Sequence, residues 1–516
     1  MAAGADRQRL TSFKERRGAL LADASLKGRD FARAYAALAD EWLRALLGDT
    51  EGVTLVALGG YGRSELCPHS DLDVLLLHDG RRDVDELARR IWYPIWDSGV
   101  RLDHSARTAR DTLRLARAEL KVALGLLDAR PVAGAAAPAK KLRAEATTQW
   151  QEHGRRRLGE LRDSTAKRHE SYGDVAFLLE PDLKEAKGGL RDVTTLRAVA
   201  VAAPFTVRSN VGAEGAAEVL FSARVELHRE SARPNDRLLL QAQDDVAAAL
   251  DYADADALMA AIADAGRRLA WVSDDAWRRV EGWLEGPAGH RAGRDRAVGP
   301  GLVLRSDEIW LVQPVAEDAD DSLTLRAVAE AARHGACISH EAMAVLGGLR
   351  SLPEPWPAQA RQDFLELLGS QTSLVEMFET LDHYGVWTRL IPEWEPVRSR
   401  PQRNAYHRFT VDRHLVEATR NAAGITEDVD RPDLLLMGAL LHDIGKGYPG
   451  DHSQVGATLA TTIGTRVGFG PDDVAVLGRL VRLHLLLADV ASRRDLDDPG
   501  TIDSVATQVG DVSTLE

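Results

Sequence analysis

Asp71 and Asp73 stand one residue apart in "LGGYGRSELCPHSDLDVLLLH", Leu58 to His78, a segment that is otherwise strongly apolar towards its end. In an extended strand alternate side chains share a face, so both carboxylates point one way while Leu72, Val74 and Leu76 point the other. Two neighbouring carboxylates on a half-buried strand repel each other and lose hydration unless a cation lies between them. Mg²⁺ is the natural occupant, a hard ion that takes a few carboxylates together with phosphate oxygens. Gly59, Gly60 and Gly62 come just before, and without Cβ atoms they let backbone N–H groups approach phosphate. A helix beginning near Arg63 would add its positive end. Strand, Gly-Gly, helix start and then Ser70-Asp71-x-Asp73 is an order suited to nucleoside triphosphate chemistry. The bland alternative is a glycine turn followed by a strand with two incidentally exposed aspartates.

A second group of chemistry-bearing side chains lies far downstream. The chain has 15 histidines, and His407, His414, His442, His452 and His484 crowd into its last quarter. "RPDLLLMGALLHDIGKG" sets Pro432 at a helix start, then an apolar run, the pair His442-Asp443, and Gly445 and Gly447 as stop signals. His414 falls in the amphipathic "VDRHLVEATR" and His484 in "DDVAVLGRLVRLHLLLADV". Imidazoles from separate helices joined by one carboxylate suit a transition metal such as Mn, Fe or Zn. A lone histidine on an apolar face is usually a satisfied core residue; an adjacent His-Asp pair with three further histidines nearby is not explained that way.

The elements that must position these groups follow from the hydrophobic period. Residues 1–48 have helical spacing, ending at Gly48. "VTLVAL" and "DLDVLLLH" read as buried strands, "YGRSEL" between them as the start of a helix, and "GVRLDHSART" as a third strand. Helical spacing dominates from about 110 to 285, interrupted by "EPDLKEAKGGLRDV" (Glu180–Val193). "GPAGHRAGRDRAVGPG" (Gly286–Gly301) is a linker or exposed loop by composition. A small β pair, "GLVLRS" and "EIWLVQPV", comes next, then helices to the end.

Length and composition bound the class. A chain of 516 residues is too long for one ordinary core. Lys and Arg total 65 against 79 Asp and Glu, a net charge of −14, so there is no broad electrostatic footprint for nucleic acid. The two cysteines, Cys67 and Cys337, fit a reducing compartment. No stretch reaches the length of about 18 uninterrupted apolar residues that a membrane span needs. A cytoplasmic protein with no nucleic-acid or membrane partner is expected.

"GG-x-G-R-S-E-L … H-S-D-L-D-V" resembles the polymerase-β-type nucleotidyltransferase signature. It is most similar to the form found in the bifunctional uridylyltransferase/uridylyl-removing enzymes that modify the nitrogen-regulatory protein PII. That resemblance implies catalytic, Mg²⁺-holding roles for Asp71 and Asp73, with a third carboxylate from a later strand. Asp103 in "RLDHSART" is the candidate, an ordinary strand-end carboxylate being the other reading, since the family more often has glycine there. Gly59, Gly60, Gly62, Arg63 and Ser70 would bind the nucleotide. "EPDLKEAKGGLRDV" also resembles a stretch of this family, and there Lys184, Lys187, Gly188, Gly189 and Arg191 would hold the triphosphate of UTP or ATP. The implied product is a nucleotidyl-tyrosine phosphodiester on PII.

The downstream histidines resemble the HD-domain metal-dependent phosphohydrolases. On that resemblance His414, His442 and Asp443 hold a metal such as Mn²⁺, His452 and His484 support a second metal or the phosphate, and His442 and Asp443 are catalytic. The bond made by the first site would be hydrolysed at the second. HD sites generally take a final aspartate from a later helix; Asp495 in "SRRDLDDPG" is near in number, or the ligand lies past Glu516, leaving the hydrolase half incomplete. His407 in "QRNAYHRFTVDRH" is either a substrate contact or a surface histidine.

The fold class expected is therefore multidomain α+β and mostly helical. N-terminal helices occupy 1–48, a small mixed-sheet nucleotidyltransferase core 49–160, a helical nucleotide- or substrate-binding part 161–300, a β pair with helical connector 301–399, and an all-α HD domain 400–516. Full-length family members continue into two glutamine-sensing ACT domains with no counterpart here, so activity without a glutamine response is expected. The competing readings are a tRNA CCA-adding or poly(A)-type nucleotidyltransferase with an HD domain, and a catalytically inactive PII-binding protein.

Overall fold

The computed structural model describes residues 2–206, 213–285, 295–305, 307–316, 318–402, 409–495, 497–510 and 512–515. Their secondary structure is mostly helical, with two four-stranded sheets. The chain divides into two compact units, Met1–Leu284 and Glu285–Glu516. No helix among the described residues is long and apolar enough to cross a membrane.

In the first unit the sheet consists of β1 (Val53–Ala57), β2 (Leu72–His78), β3 (Leu102–Arg107) and β4 (Arg130–Gly134), in the order β3-β2-β1-β4. β1 runs antiparallel to β2 and β4, whereas β2 and β3 are parallel. The helix Val84–Asp97 joins the parallel pair, as such a crossover requires. Both faces of the sheet are covered, which is why β1 and β2 read as near-continuous apolar runs. Leu72, Val74 and Leu76 pack with Phe31, Tyr35 and Trp42 of the helix Gly28–Leu47 and with Ile91 and Ile95. Val56, Leu75 and Leu77 pack on the other side against Leu126, Leu142, Trp150 and Leu158.

Two local expectations need correcting. β4 is absent from the sequence reading because Pro131 has no N–H to donate and breaks a strand pattern; an edge strand tolerates it. No helix opens near Arg63. The helical turn is Gly59–Gly62 and Arg63 closes it, its N–H donating to the Gly59 carbonyl at 3.1 Å.

The second unit begins with β5 (Arg296–Gly299), β6 (Leu302–Arg305), β7 (Glu308–Leu311) and β8 (Cys337–Ile338), in that order across the sheet. The expected β pair is β6 and β7. β5 falls within the stretch read as a loop, because glycines and charges hide a four-residue edge strand; residues 286–294 of that stretch lie outside the described residues. The remainder is helical around a core containing Phe364, Phe378, Trp387 and Trp394. Four helices, Val411–Ala422, Pro432–Leu441, His452–Val467 and Pro471–Leu483, carry the histidine-bearing segments.

Candidate functional site

In the first unit Asp73 of β2 lies in direct register with Asp103 of the parallel β3, and Asp71 immediately precedes β2. Partners in register on parallel strands share a face, so three carboxylates gather at one edge of the sheet. Two of them hold cations from the protein: Asp71 pairs with Arg101 at 2.8 Å and Asp103 with Lys121 at 3.0 Å. Asp73 forms no ion pair among the described residues. Burial, and then the neighbouring Asp103 and Asp71, push its carboxyl up to about 6. A three-carboxylate edge with its most buried member lacking a counter-charge fits a divalent cation, which would relieve all three at once. Lys121, raised by its hydrogen bond to Asp103, was not legible in "AELKVAL", where nothing marks one lysine of a helical run.

Two cavities meet at these carboxylates, one of about 370 Å³ and one of about 660 Å³; Gly60, Arg63, Asp73, Asp103, Lys121 and Arg191 line both. A Cβ on Gly60 would meet only ordinary van der Waals contact, the Glu65 carbonyl oxygen at 3.8 Å. Ser70 lines the smaller cavity and its Oγ accepts from the Cys67 N–H at 2.9 Å. Lys184 also lines it, 3.5 Å from Asp236, and Arg191 pairs with Glu185 at 2.7 Å.

The remaining residues named for the nucleotide have other duties. Gly59 has φ +50°, a conformation that favours glycine, and an added Cβ would approach Asp73 Oδ2 to 3.3 Å. Gly62 is a packing glycine, where a Cβ would lie 2.2 Å from the Asp128 carbonyl oxygen. The Arg63 guanidinium is spent on Glu65 at 2.6 Å and Asp128 at 2.5 Å. Lys187 turns to Asp274 at 2.8 Å and lines neither cavity. Gly188, at φ +77°, would place a Cβ 2.2 Å from the Gly266 carbonyl, and Gly189 is packed against the Ala186 and Lys184 carbonyls. This glycine pair seats one chain segment on another and is not a phosphate cradle. The Gly188 N–H donates to Asp192, whose buried carboxylate also receives Arg168 and His169.

In the second unit His442 and Asp443 follow the helix Pro432–Leu441, and the structure brings His414, His452 and His484 to them. His414, His442 and Asp443 form one possible ligand group, and Asp443, His452 and His484 another. His442 Nε2 lies 3.4 Å and His414 Nε2 3.6 Å from Asp443 Oδ2, while His484 Nε2 lies 3.4 Å and His452 Nε2 3.9 Å from Oδ1. His442 Nδ1 lies 2.8 Å from the Ala439 carbonyl and His484 Nδ1 2.7 Å from that of Val481. A carbonyl only accepts, so each Nδ1 carries a proton and each ring is turned with its Nε2 inward, where it would offer a lone pair to a metal. His414 Nε2 and His442 Nε2 stand 3.0 Å apart. Burial pushes the Asp443 carboxyl up, but the inward-facing imidazoles of His442 and His484 and the Lys446 ammonium at 2.6 Å outweigh it and hold it well below the usual range. Its Oδ1 is buried with no hydrogen-bond partner. Inward Nε2 atoms around an ionised, half-satisfied carboxylate fit a transition metal. Asp495 is not among the gathered side chains; its carboxylate accepts from the Asp497 N–H at 3.0 Å. His407 lies outside the described residues.

Comparison with known proteins divides in the same way. Residues 156–276 match the family described as GlnD PII-uridylyltransferase, and residues 411–505 match the HD domain. Three similar proteins are each named bifunctional uridylyltransferase/uridylyl-removing enzyme. That of Streptomyces coelicolor is 47% identical over 96% of this chain and 62% of its own length. That of Mycobacterium tuberculosis is 42% identical over 90% of this chain and 59% of its own. That of Corynebacterium glutamicum is 33% identical over 90% of this chain and 67% of its own. The chain thus spans about three fifths of the length of the first two. The similarity is not confined to either matched module but runs through the sheet edge, the helices after it and the histidine cluster, and this chain belongs to the family of bifunctional uridylyltransferase/uridylyl-removing enzymes.

Proposed function

We propose that the first unit transfers a nucleotidyl group, uridylyl by family, to a tyrosine of PII, and that the second unit hydrolyses the bond so made. The observation that carries the first half is the register of Asp73 with Asp103, with Asp71 beside them. Mg²⁺ held by Asp71, Asp73 and Asp103 would supply charge neutralisation to the triphosphate and to departing pyrophosphate. Lys121, Lys184 and Arg191 stand around that point and add positive charge where phosphate oxygens must lie. Gly60 lines both cavities, so its side-chain-free backbone faces the space a phosphate would take. UTP and ATP present the same triphosphate to this apparatus; UTP is the family's substrate and the one proposed.

In the second unit a transition metal such as Mn²⁺ on His414, His442 and Asp443 would polarise the phosphodiester and activate water. His442 and His484 are pre-oriented by their carbonyl partners, so little reorganisation accompanies loading. Lys446 neutralises Asp443 from one side and leaves Oδ1 for the site. Cytoplasmic location and PII as partner come with this reading.

The test is incubation of the chain with purified PII, Mg²⁺ and UTP or ATP, reading the mass added to PII. Addition of one nucleotidyl group is expected, with UTP the better donor. Asp73→Asn removes one charge from the carboxylate trio at nearly constant shape, and transfer is expected to fall by about 10³-fold or more. Unchanged transfer in that variant sinks the assignment, and label appearing in RNA instead of PII would favour the CCA-adding reading.

A further inference from the structure

We propose that the cavity of about 660 Å³ is the nucleoside half of the transferase site and that the Thr165 hydroxyl reads the base there, donating to a carbonyl oxygen of a pyrimidine. The proposal rests on the reading of Asp71, Asp73 and Asp103 as the nucleotidyl-transfer centre. Because Asp73 and Asp103 line both cavities, the reacting phosphorus sits where the two meet, and the two ends of the nucleotide diverge from there.

The lining decides which end goes where. The smaller cavity adds Arg29, Arg101, Lys184, Arg197 and Arg224 to the shared cations, and although Glu65, Asp71 and Asp236 partner them its lining keeps an excess of positive charge suited to phosphates. The larger one has as many carboxylates as cations in its lining and one wall of Leu58, Leu75, Leu120, Leu124 and Leu161, an apolar side for a flat ring. Four of these leucines come from one sheet strand and two helices, and Leu58 from the junction that follows β1.

Thr165 projects from the helix Gly154–Tyr172, is 5% exposed, and lines the larger cavity. A helical threonine ordinarily spends its hydroxyl on the carbonyl four residues back, as Thr112 in the same cavity wall does with Thr108 at 2.8 Å. The Thr165 hydroxyl has no partner in the protein and, in the position it holds, its oxygen is closed off from solvent. Threonine in a helix has two accessible χ1 wells, so the hydroxyl can swing to meet a ligand atom without moving the helix. A donor kept unsatisfied beside an apolar slot is the arrangement that discriminates a ring carrying a carbonyl from one that lacks it, such as adenine.

The experiment measures KM and kcat for UTP and ATP in transfer to PII with the wild-type chain, Thr165→Val, Thr165→Ser and Asp73→Asn. Thr165→Val keeps shape and loses the donor. The expected result is a KM for UTP raised about 10-fold with kcat little changed, ATP kinetics unmoved, and Thr165→Ser restoring the UTP preference. Equal loss with both nucleotides would place the hydroxyl on the ribose and overturn base reading, as would no change at all. A variant chain that also fails with ATP and unfolds early is distinguished by the serine variant, which keeps the donor: if Thr165→Ser behaves as Thr165→Val does, the proposal falls. Transfer that survives in Asp73→Asn instead overturns the underlying reading, whatever Thr165 does.

Discussion

Glu65 is a single carboxylate serving three arginines: Arg63 at 2.6 Å, Arg29 at 3.0 Å and Arg197 at 3.1 Å. Burial pushes its carboxyl up, but Arg63 and Arg197, with the hydrogen bonds from Arg63 and Arg29, outweigh that and hold it down at about 2. A carboxyl lowered in the folded state stabilises above its ordinary value, 4.5, and that contribution is lost as pH falls towards 2. The difference amounts to at most about 3 kcal/mol for this one group. Glu65→Gln is therefore expected to be less stable at pH 7 and to show a flatter fall in denaturant midpoint between pH 5 and pH 3 than the wild-type chain. Parallel curves for the two proteins would mean the arginines find other partners.

At the scale of elements, the second site depends on how closely one short turn meets one helix. The turn Ile444–Gly447 follows Asp443, and the helix His452–Val467 brings His452 back to it. Gly445 is the point of closest approach: a Cβ there would lie 2.1 Å from the His452 carbonyl oxygen and 2.7 Å from the Gly456 nitrogen. Both are backbone atoms and cannot swing aside. Gly445→Ala is expected to cost about 1–3 kcal/mol and to push His452 away from Asp443. Removal of nucleotide from modified PII should fall while transfer persists, read by the two activities on one preparation. Equal loss of both would show general unfolding instead of a displaced helix. The turn Gly59–Gly62 has the same logic in the first unit, where Gly62 admits no side chain beside the Asp128 carbonyl.

At the scale of the whole molecule, the three carboxylates and the histidine cluster belong to separate compact units, each with its own core. Substitutions that share no partner and fall in separate cores act independently. Asp443→Asn is expected to abolish removal and to lower the content of bound transition metal, measured by elemental analysis, without changing transfer. Asp73→Asn should do the reverse. A mixture of the two variants should then modify and demodify PII as the wild-type chain does. Failure of the mixture, with each variant folded, would show that one chain must carry both sites intact.

Much of this was written in the residue order alone. The alternation of Asp71 and Asp73 with Leu72 and Val74, the helix beginning at Pro432 and the His442-Asp443 pair at its end are local patterns, and local patterns survive being read one window at a time. Gly188 and Gly189 show the limit. A glycine pair flanked by lysines suits phosphate approach by type, but whether a backbone nears phosphate or another backbone depends on what packs there, and it is Gly266, far along the chain. Lys187 likewise has the right charge and the wrong direction. Lys121 and Thr165 went unread for the converse reason: each is an ordinary residue of a helix until the fold sets it beside Asp103 or over an apolar slot. The sequence by itself determined which residue types could hold metal and phosphate, because periodicity and spacing are short-range. Only the tertiary structure decided which of them converge, because convergence is set by packing between segments that are distant in the chain.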